Sequence, residues 1–516
     1  MDHDNAAAWL LDRHVEQGRG ERTAIRYQGA SITYANALVD VPRFQAALDA
    51  LGVESGDRVA MVVNDEPSFV SVFLGAMRGG HVPVPLSTML SASELAPIVA
   101  DSGAVVLAVS AEYEHLIAPV AAACPAIRHA VVLGTPTGDG PTGVEVHASA
   151  DFPTPTGAPT VASTSAADPA FWLYSSGTTG VPKGVMHTHG NLRATADTYA
   201  AQVLGTTPDD RCYSVAKLFF AFGLGNSLTF PFAVGATAIL DSRRPTPGGV
   251  LETIAAERPT LFFASPGFVA ALLDAGPDPS VFASVRATVT AGEALPGPLQ
   301  QRFAERFGHP VLDGIGSTEA LHIFISNTLD HQEAGSSGVA VPGYEIELRD
   351  DDGNVVDEPD RPAYLHVRGP STALGYWQRP DATAAAFLPD GWLRTGDVYV
   401  RGAAGHYTFL GRNSDMIKAG GIWVSPAEVE SVLIEHDSVL EAAVVGARND
   451  QGLEETVAFV VPASGHTIDP AAIDRHCRDR MAAFKRPRRI VVVDELPKTA
   501  TGKIRRFALR DTLTRP

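Results

Sequence analysis

The stretch YSSGTTGVPKG, Tyr174 to Gly184, sets four hydroxyls and two glycines ahead of a single lysine. Ser175, Ser176, Thr178 and Thr179 offer hydroxyl donors. Gly177 and Gly180 let backbone N–H groups close on anionic oxygens, and Lys183 adds a positive charge. That combination suits phosphate binding. It is not the NTPase P-loop, which needs glycine directly before the lysine and Ser or Thr after it; here Pro182 precedes Lys183 and Gly184 follows. By composition alone a flexible polar loop fits equally well. Other reactive side chains stand in short blocks: Thr318 and Glu319 in GIGSTE, Asp397 in RTGD, Lys503 in TATGKI. Taken singly, Glu319 reads as a solvated charge, Asp397 as a turn aspartate and Lys503 as one lysine of a basic tail.

The frame that must position these residues is large. A chain of 516 residues exceeds one ordinary core, so two or more domains are expected. With 45% hydrophobic and 19% charged residues it reads as a globular enzyme. A net charge of -19 argues against a nucleic-acid partner, which would need a basic field. Cys124, Cys212 and Cys477 lie far apart, which fits a reducing cytoplasm better than a disulfide framework. The acidic N-terminus is not a secretion signal. From Leu218 to Leu240 an uncharged run is long enough to span a bilayer, but Gly223, Gly225, Asn226, Pro231 and Gly235 break it, so buried, pocket-lining core is expected and no membrane partner.

Helical spacing in LVDVPRFQAALDALGV and PSFVSVFLGAMRGG alternates with strand-like DRVAMVV, AVVLAVS and HAVVLG. This predicts stacked α/β layers with mostly parallel sheets. Gly134 to Pro169 is rich in Gly, Pro, Thr, Ser and Ala and reads as a surface connection. The alternation resumes with AFWLYSS, ATAIL, TLFFASP and ATVTAGEALP. Near ELRDDDGNVVDEPDRPAYLHVRG it gives way to strands joined by acidic turns, expected as an antiparallel sheet or small barrel. A compact α+β unit follows, with Ser425 capping the helix of SPAEVESVLIEH and a basic end. The expected division is residues 1–413, α/β with the small barrel-like part, and 414–516, a small mobile α+β domain.

Five blocks then carry a resemblance: YSSGTTGVPKG, GIGSTE, RTGD, GRNSDMIKAGG and PKTATGKI. In this order and spacing they resemble the signatures of the adenylate-forming superfamily of acyl- and aryl-CoA ligases, amino-acid adenylation domains and luciferases. AKLFFAFGLGNSLTFPF, DGIGSTEALHIFISN and IKAGGIWVSPAEVE are similar to its benzoate-CoA ligase branch. The resemblance implies a carboxylate that attacks the α-phosphorus of Mg-ATP, giving an acyl-adenylate and pyrophosphate, and a thiol, that of CoA, that then displaces AMP.

It also implies roles. Thr178, Thr179 and Lys183, with Ser175, Ser176 and Gly177 in the same loop, would hold the β- and γ-phosphates; Thr318 would reach the α-phosphate and Glu319 would hold Mg²⁺. Asp397 would accept bonds from both ribose hydroxyls, assisted by Arg412. Adenine would lie between the backbone of Gly292, Glu293 and Ala294 and Ile315, where relatives carry tyrosine, next to Gly314, with Asp313 accepting from its amino group. Lys503 would bridge substrate carboxylate and α-phosphate from a domain that swings out for thioester formation. Gly420 and Gly421 would line the pantetheine tunnel. The hinge acid of relatives is replaced by Ser414, with Asp415 next.

The acid pocket implied by the resemblance comprises Ala221, Phe222, Gly292, Gly316, Ala320, His322 and Ile323 and contains no buried acid or base. Ala221 stands where amino-acid adenylation domains carry an aspartate, which disfavours a free amino acid. A small aromatic carboxylic acid is the expected substrate: benzoate or an amino-, hydroxy- or halogen-substituted benzoate. Phe222, where tyrosine is common in the branch, removes a hydroxyl that could bond a ring substituent, and Ala320, where methionine is common, leaves room beside the ring. A carrier-protein phosphopantetheine remains an alternative acceptor to CoA, a non-catalytic nucleotide binder a third reading, and the chain is expected as a monomer or homodimer.

Overall fold

The computed structural model describes residues 4–138, 140–157, 159–176, 182–419, 422–448, 454–499 and 503–514. Its frame is α/β. Six consecutive strands of a nine-stranded sheet run parallel, from Val311–Gly316 through Ala287–Thr290, Leu261–Ala264, Arg211–Ser214 and Thr237–Leu240 to Thr23–Tyr27. Strands Ile323–Ser326 and Val339–Ala340 continue the sheet in antiparallel fashion beyond Val311–Gly316. Leu261–Ala264 and Ala287–Thr290 are buried along their whole length, which is why their sequences read as apolar runs rather than alternations.

A second, five-stranded sheet is parallel throughout, in the order Val82–Pro85, Arg58–Val62, Val106–Ser110, His129–Leu133, Glu145–Ala148. Its last strand corrects the reading of Gly134 to Pro169 as plain connection. Four residues of weak alternation within a Gly- and Pro-rich setting gave no period to detect, and pairing with His129–Leu133 decides their state.

The uncharged run breaks as expected. It forms the helix Ala221–Leu224, the π-helical turn Gly225–Thr229, the helix Phe230–Val234, which ends at left-handed Gly235, and the strand Thr237–Leu240. Among the described residues no helix is long and apolar enough to cross a membrane.

The acidic-turn region is a four-stranded antiparallel sheet, Glu345–Arg349, Ala363–Arg368, Leu393–Arg401 and Tyr407–Arg412. After it come a hairpin, Ile417–Ala419 with Ile422–Val424, and the sheet Val439–Arg448, Glu454–Pro462, Arg489–Val492. Helix Pro426–Ile434 starts as read, with Ser425 Oγ accepting the Glu428 N–H at 3.1 Å. Its apolar side joins Val444, Val460 and Ile473 in a core separate from that of the large sheets.

Candidate active site

The phosphate loop joins two antiparallel strands, Pro169–Ser176 and Pro182–Thr188, rather than a strand and a helix. The hairpin register sets Ser175 opposite Lys183. Among the described residues flanking the loop, then, a strand rather than a helix follows it. Gly177, Thr178 and Thr179 fall outside the described residues, as do Gly420, Gly421 and the side chain of Ser176.

The short strand Gly375–Tyr376 pairs with the second strand of that hairpin and brings in a residue that sequence reasoning missed. The Tyr376 hydroxyl donates to Glu319 Oε1 at 2.9 Å, and its ring lies 4.8 Å from Lys183 Nζ. Ser175 Oγ reaches the same Oε1 at 3.5 Å. Burial, and then Glu319, raise the Tyr376 phenol above its ordinary value, so it stays a donor. Lys183, Ser175 and Glu319 therefore meet at one edge. Nothing in ALGYW marks Tyr376 as special: only the third strand of the sheet does.

Thr318 and Glu319 lie on the turn between strands Val311–Gly316 and Ile323–Ser326. The turn is tight: Leu321 takes φ of 65°, a left-handed conformation costing a branched residue about 1–2 kcal/mol. Thr318's carbonyl accepts from His187 Nε2 at 2.8 Å and from the Leu321 N–H at 3.2 Å. His187 is fully buried, stacked on Phe171, and held below its usual pKa, at about 4, chiefly by burial. It is neutral, and it anchors the turn. Gly316 is required here, since a Cβ would come within 2.5 Å of the His322 carbonyl oxygen.

Beside this turn lies a cavity of about 220 Å³. Gly292, Glu293 and Ala294 form one wall and Gly314, Ile315 and Gly316 another, with Asp313 just before them on the strand Val311–Gly316. Gly292 has φ of 97°, which permits the sharp exit from strand Ala287–Thr290. Asp313 is buried, accepts the Thr290 hydroxyl at 2.8 Å, and burial pushes its carboxyl up to about 8. A carbonyl oxygen remains as acceptor in its neutral form, and an approaching amino group favours the ionised one. Tyr399 and Phe409 also line the cavity, which sequence reasoning missed; Tyr399 is locked by its hydroxyl contact with Ser337 at 3.1 Å.

Asp397 and Arg412 face each other across neighbouring strands, with Arg412 Nε 3.0 Å from Asp397 Oδ1 and Arg412 Nη1 donating to the Thr395 carbonyl at 2.9 Å. Burial raises the Asp397 carboxyl, and Arg412 opposes this.

Lys503 comes from the small C-terminal unit and lines the same cavity. Its side chain opens onto that space while protein surrounds it. Lost hydration lowers its pKa, Arg412 lowers it further, and Asp397, Glu293 and Glu319 oppose. Its turn is held in place across the cleft, where the Ile504 N–H donates to Glu293 Oε1 at 2.8 Å. Glu293 thus spends a side-chain oxygen on the lysine segment while still lining the cavity. At the hinge position, Asp415 after Ser414 is paired with Arg510 at 3.1 Å.

Of the residues expected around the acid, Phe222 and Gly316 meet His322, whereas Gly292 lines the nucleotide cavity. The His322 ring lies 5.5 Å from Phe222, 4.5 Å from Phe230 and 5.2 Å from Tyr199, with Ala320 and Ile323 fully buried alongside and Ala221 half-buried at the start of Phe222's helix. The expectation of a pocket without acid or base needs one amendment. His322 is a buried base by type, but burial holds its pKa at about 3, so it is an uncharged wall with a polar edge facing Asn226 Oδ1 at 3.2 Å.

The sequence profile of AMP-binding enzymes matches residues 11–377, and that of the AMP-binding enzyme C-terminal domain matches residues 428–503. The chain belongs to the AMP-binding enzyme family. Within that family it is 43% identical to a benzoate–CoA ligase of Thauera aromatica, over 98% of this chain and 95% of that protein. Among solved AMP-binding enzymes, a benzoate CoA ligase from Burkholderia xenovorans LB400 aligns at TM-score 0.89 and 41% identity, covering 98% of this chain and 99% of that one. The anthranilate CoA ligase AuaEII in complex with anthranoyl-AMP aligns at TM-score 0.93 and 37% identity, covering 98% and 97%.

Proposed function

We propose that the chain is an ATP-dependent aryl-CoA ligase that activates benzoate or a small-substituted benzoate as the acyl-adenylate and transfers the acyl group to CoA. The observation that carries this reading is the meeting of Lys503, Asp397 and Arg412 in one cavity whose Gly316 wall leads to the uncharged aromatic cluster around His322. The names of the similar ligases point the same way.

In the first step a carboxylate oxygen of the acid bonds to the α-phosphorus, and the bond to the bridging oxygen breaks as pyrophosphate leaves. Negative charge grows on both oxygens, and the charged form of Lys503, which lines the cavity, stabilises it. Asp397 accepts from the ribose and Arg412 keeps that carboxylate oriented. In the second step the thiol sulfur bonds to the acyl carbon, the carbon–oxygen bond to phosphate breaks, and AMP leaves. Lys503 has no part in that step, and its unit swings away.

Glu319 fits a magnesium site. Both of its side-chain hydrogen bonds among the described residues fall on Oε1, leaving Oε2 for a hard cation that takes one or two protein carboxylates and fills its shell with water and phosphate. Such an ion neutralises charge on the departing pyrophosphate. Tyr376→Phe removes the donor that aims this carboxylate. A hydrogen bond to a charged group is worth about 1.5–3 kcal/mol, or ~10–100-fold. We expect pyrophosphate release to fall by about that factor and to need more Mg²⁺, with the KM for the carboxylate little changed. Mg²⁺ titrations superposing on those of the wild type would remove Tyr376 from this role.

The acid is tested with a carboxylate panel given ATP and CoA, scored by AMP release and product mass. Turnover of fatty or amino acids alone would overturn the reading. Ala320 is fully buried, so the extra atoms of Ala320→Met can enter only the acid pocket or the core. Substituted benzoates should lose about 1–3 kcal/mol in kcat/KM relative to benzoate, and a parallel loss on every acid would indicate overpacking instead. Cys124, Cys212 and Cys477 are free and buried, which supports a reducing, cytoplasmic setting.

A further inference from the structure

At the edge of the five-stranded sheet, far from any role in the cavity, parallel strands His129–Leu133 and Glu145–Ala148 set His129 opposite Glu145 and Val131 opposite His147. Side chains two apart on a strand share a face, so His129, Glu145 and His147 project together. His129 Nδ1 lies 3.3 Å from His147 Nε2 and 3.6 Å from Glu145 Oε2, and His147 Nε2 lies 3.8 Å from the same oxygen. A tetrahedral ion held at ~2.0–2.2 Å by imidazole nitrogen and carboxylate oxygen spaces its ligand atoms ~3.3–3.6 Å apart. The observed triangle is close to that size.

Hydrogen bonding alone explains it poorly. One imidazole proton satisfies one edge of the triangle, and an ion pair with Glu145 would require a charged His129. Metals bind the neutral imidazole, which needs no such charge. The side chains of His129 and His147 are 12% and 24% exposed and that of Glu145 is 73% exposed, so an ion can enter from solvent onto two partly desolvated nitrogens. Two imidazoles and one carboxylate suit Zn²⁺ and its neighbours rather than Mg²⁺ or Ca²⁺.

We propose that His129, Glu145 and His147 form a binding site for a zinc-class divalent ion, with water completing the tetrahedron, which clips the edge strand Glu145–Ala148 to the sheet. None of the three residues lines the nucleotide cavity, so the ion is structural and takes no part in acyl activation. The test titrates the full chain with Zn²⁺ by calorimetry and with Co²⁺ by visible absorption, for wild type, His147→Ala and Glu145→Gln. Wild type should bind one more equivalent of Zn²⁺ than His147→Ala, or bind it at least tenfold tighter, and show tetrahedral Co²⁺ bands that the variant lacks. Zn²⁺ should raise the Tm of the wild type and not that of His147→Ala. Turnover of the variants without added zinc should match wild type, which also reports their folding. Glu145→Gln, the most exposed change, decides the matter if His147→Ala folds poorly. Equal stoichiometry and affinity across wild type and the folded variants would overturn the proposal.

Discussion

Lys503→Ala should lose on the order of 10²–10³ in the rate of acyl-adenylate formation, the loss typical of removing one charge-stabilising donor from a preorganised site, while thioester formation from supplied acyl-adenylate continues near the wild-type rate. The lysine lines the cavity with Asp397 and Arg412, and the Ile504–Glu293 hydrogen bond fixes its turn against the larger unit. A charge held this way is pre-positioned before ATP arrives, so its removal is not compensated by solvent. Single-turnover pyrophosphate release measures the first half-reaction, and thioester mass from synthetic aroyl-AMP and CoA measures the second. Equal losses in both would mean that the lysine stays in the site throughout, and the alternation of the small unit would have to be abandoned. A loss only in the second would reverse the assignment.

Lys503, Asp397 and Glu319 stand out as candidates because short motifs hold them, and the structure brings Lys503 and Asp397 to one cavity; helices and strands are legible because buried runs and helical periods are written into the chain. Tyr376 and His187 are not. Each acts through a partner distant in sequence, Tyr376 on Glu319 and His187 on the Thr318 carbonyl, and pairings of that kind leave no local period. The strand Glu145–Ala148 was missed because its state is set by a neighbour rather than by propensity. His322 was expected in the acid pocket, but its neutrality depends on Phe222, Phe230 and Tyr199 packing around it. The Tyr174–Gly184 stretch does not lead from a strand into a helix as a P-loop does: the strands on either side of it run antiparallel.

The other large effect concerns what holds Lys503 in place. Arg506 begins the helix Arg506–Thr514 and places Nη1 and Nη2 at 2.6 and 3.1 Å from the two oxygens of Glu430 on helix Pro426–Ile434. Glu430 Oε1 also accepts the Val444 N–H at 2.7 Å, so one carboxylate ties two helices and a strand. The side chains are only 18% and 11% exposed, and burial already raises the Glu430 carboxyl against the pull of Arg506. Arg506→Ala leaves that acid buried with its counter-charge gone, which costs about 3–5 kcal/mol. The more exposed Arg510, paired with Asp415, should cost no more than about 1 kcal/mol when replaced. The damage should reach the active site, because the Lys503 turn is a short ladder ending at this staple: the Thr499 N–H donates to the Lys503 carbonyl at 2.7 Å and the Arg505 N–H to the Pro497 carbonyl at 2.7 Å. We therefore expect Arg506→Ala to speed hydrogen exchange across Arg506–Thr514 and to slow adenylate formation more than thioester formation. Replacing both partners, Glu430→Leu with Arg506→Leu, should restore much of the stability, since a paired apolar substitution leaves no stranded charge. Exchange and half-reaction rates in Arg506→Ala that match Arg510→Ala would show that the staple does not hold the lysine.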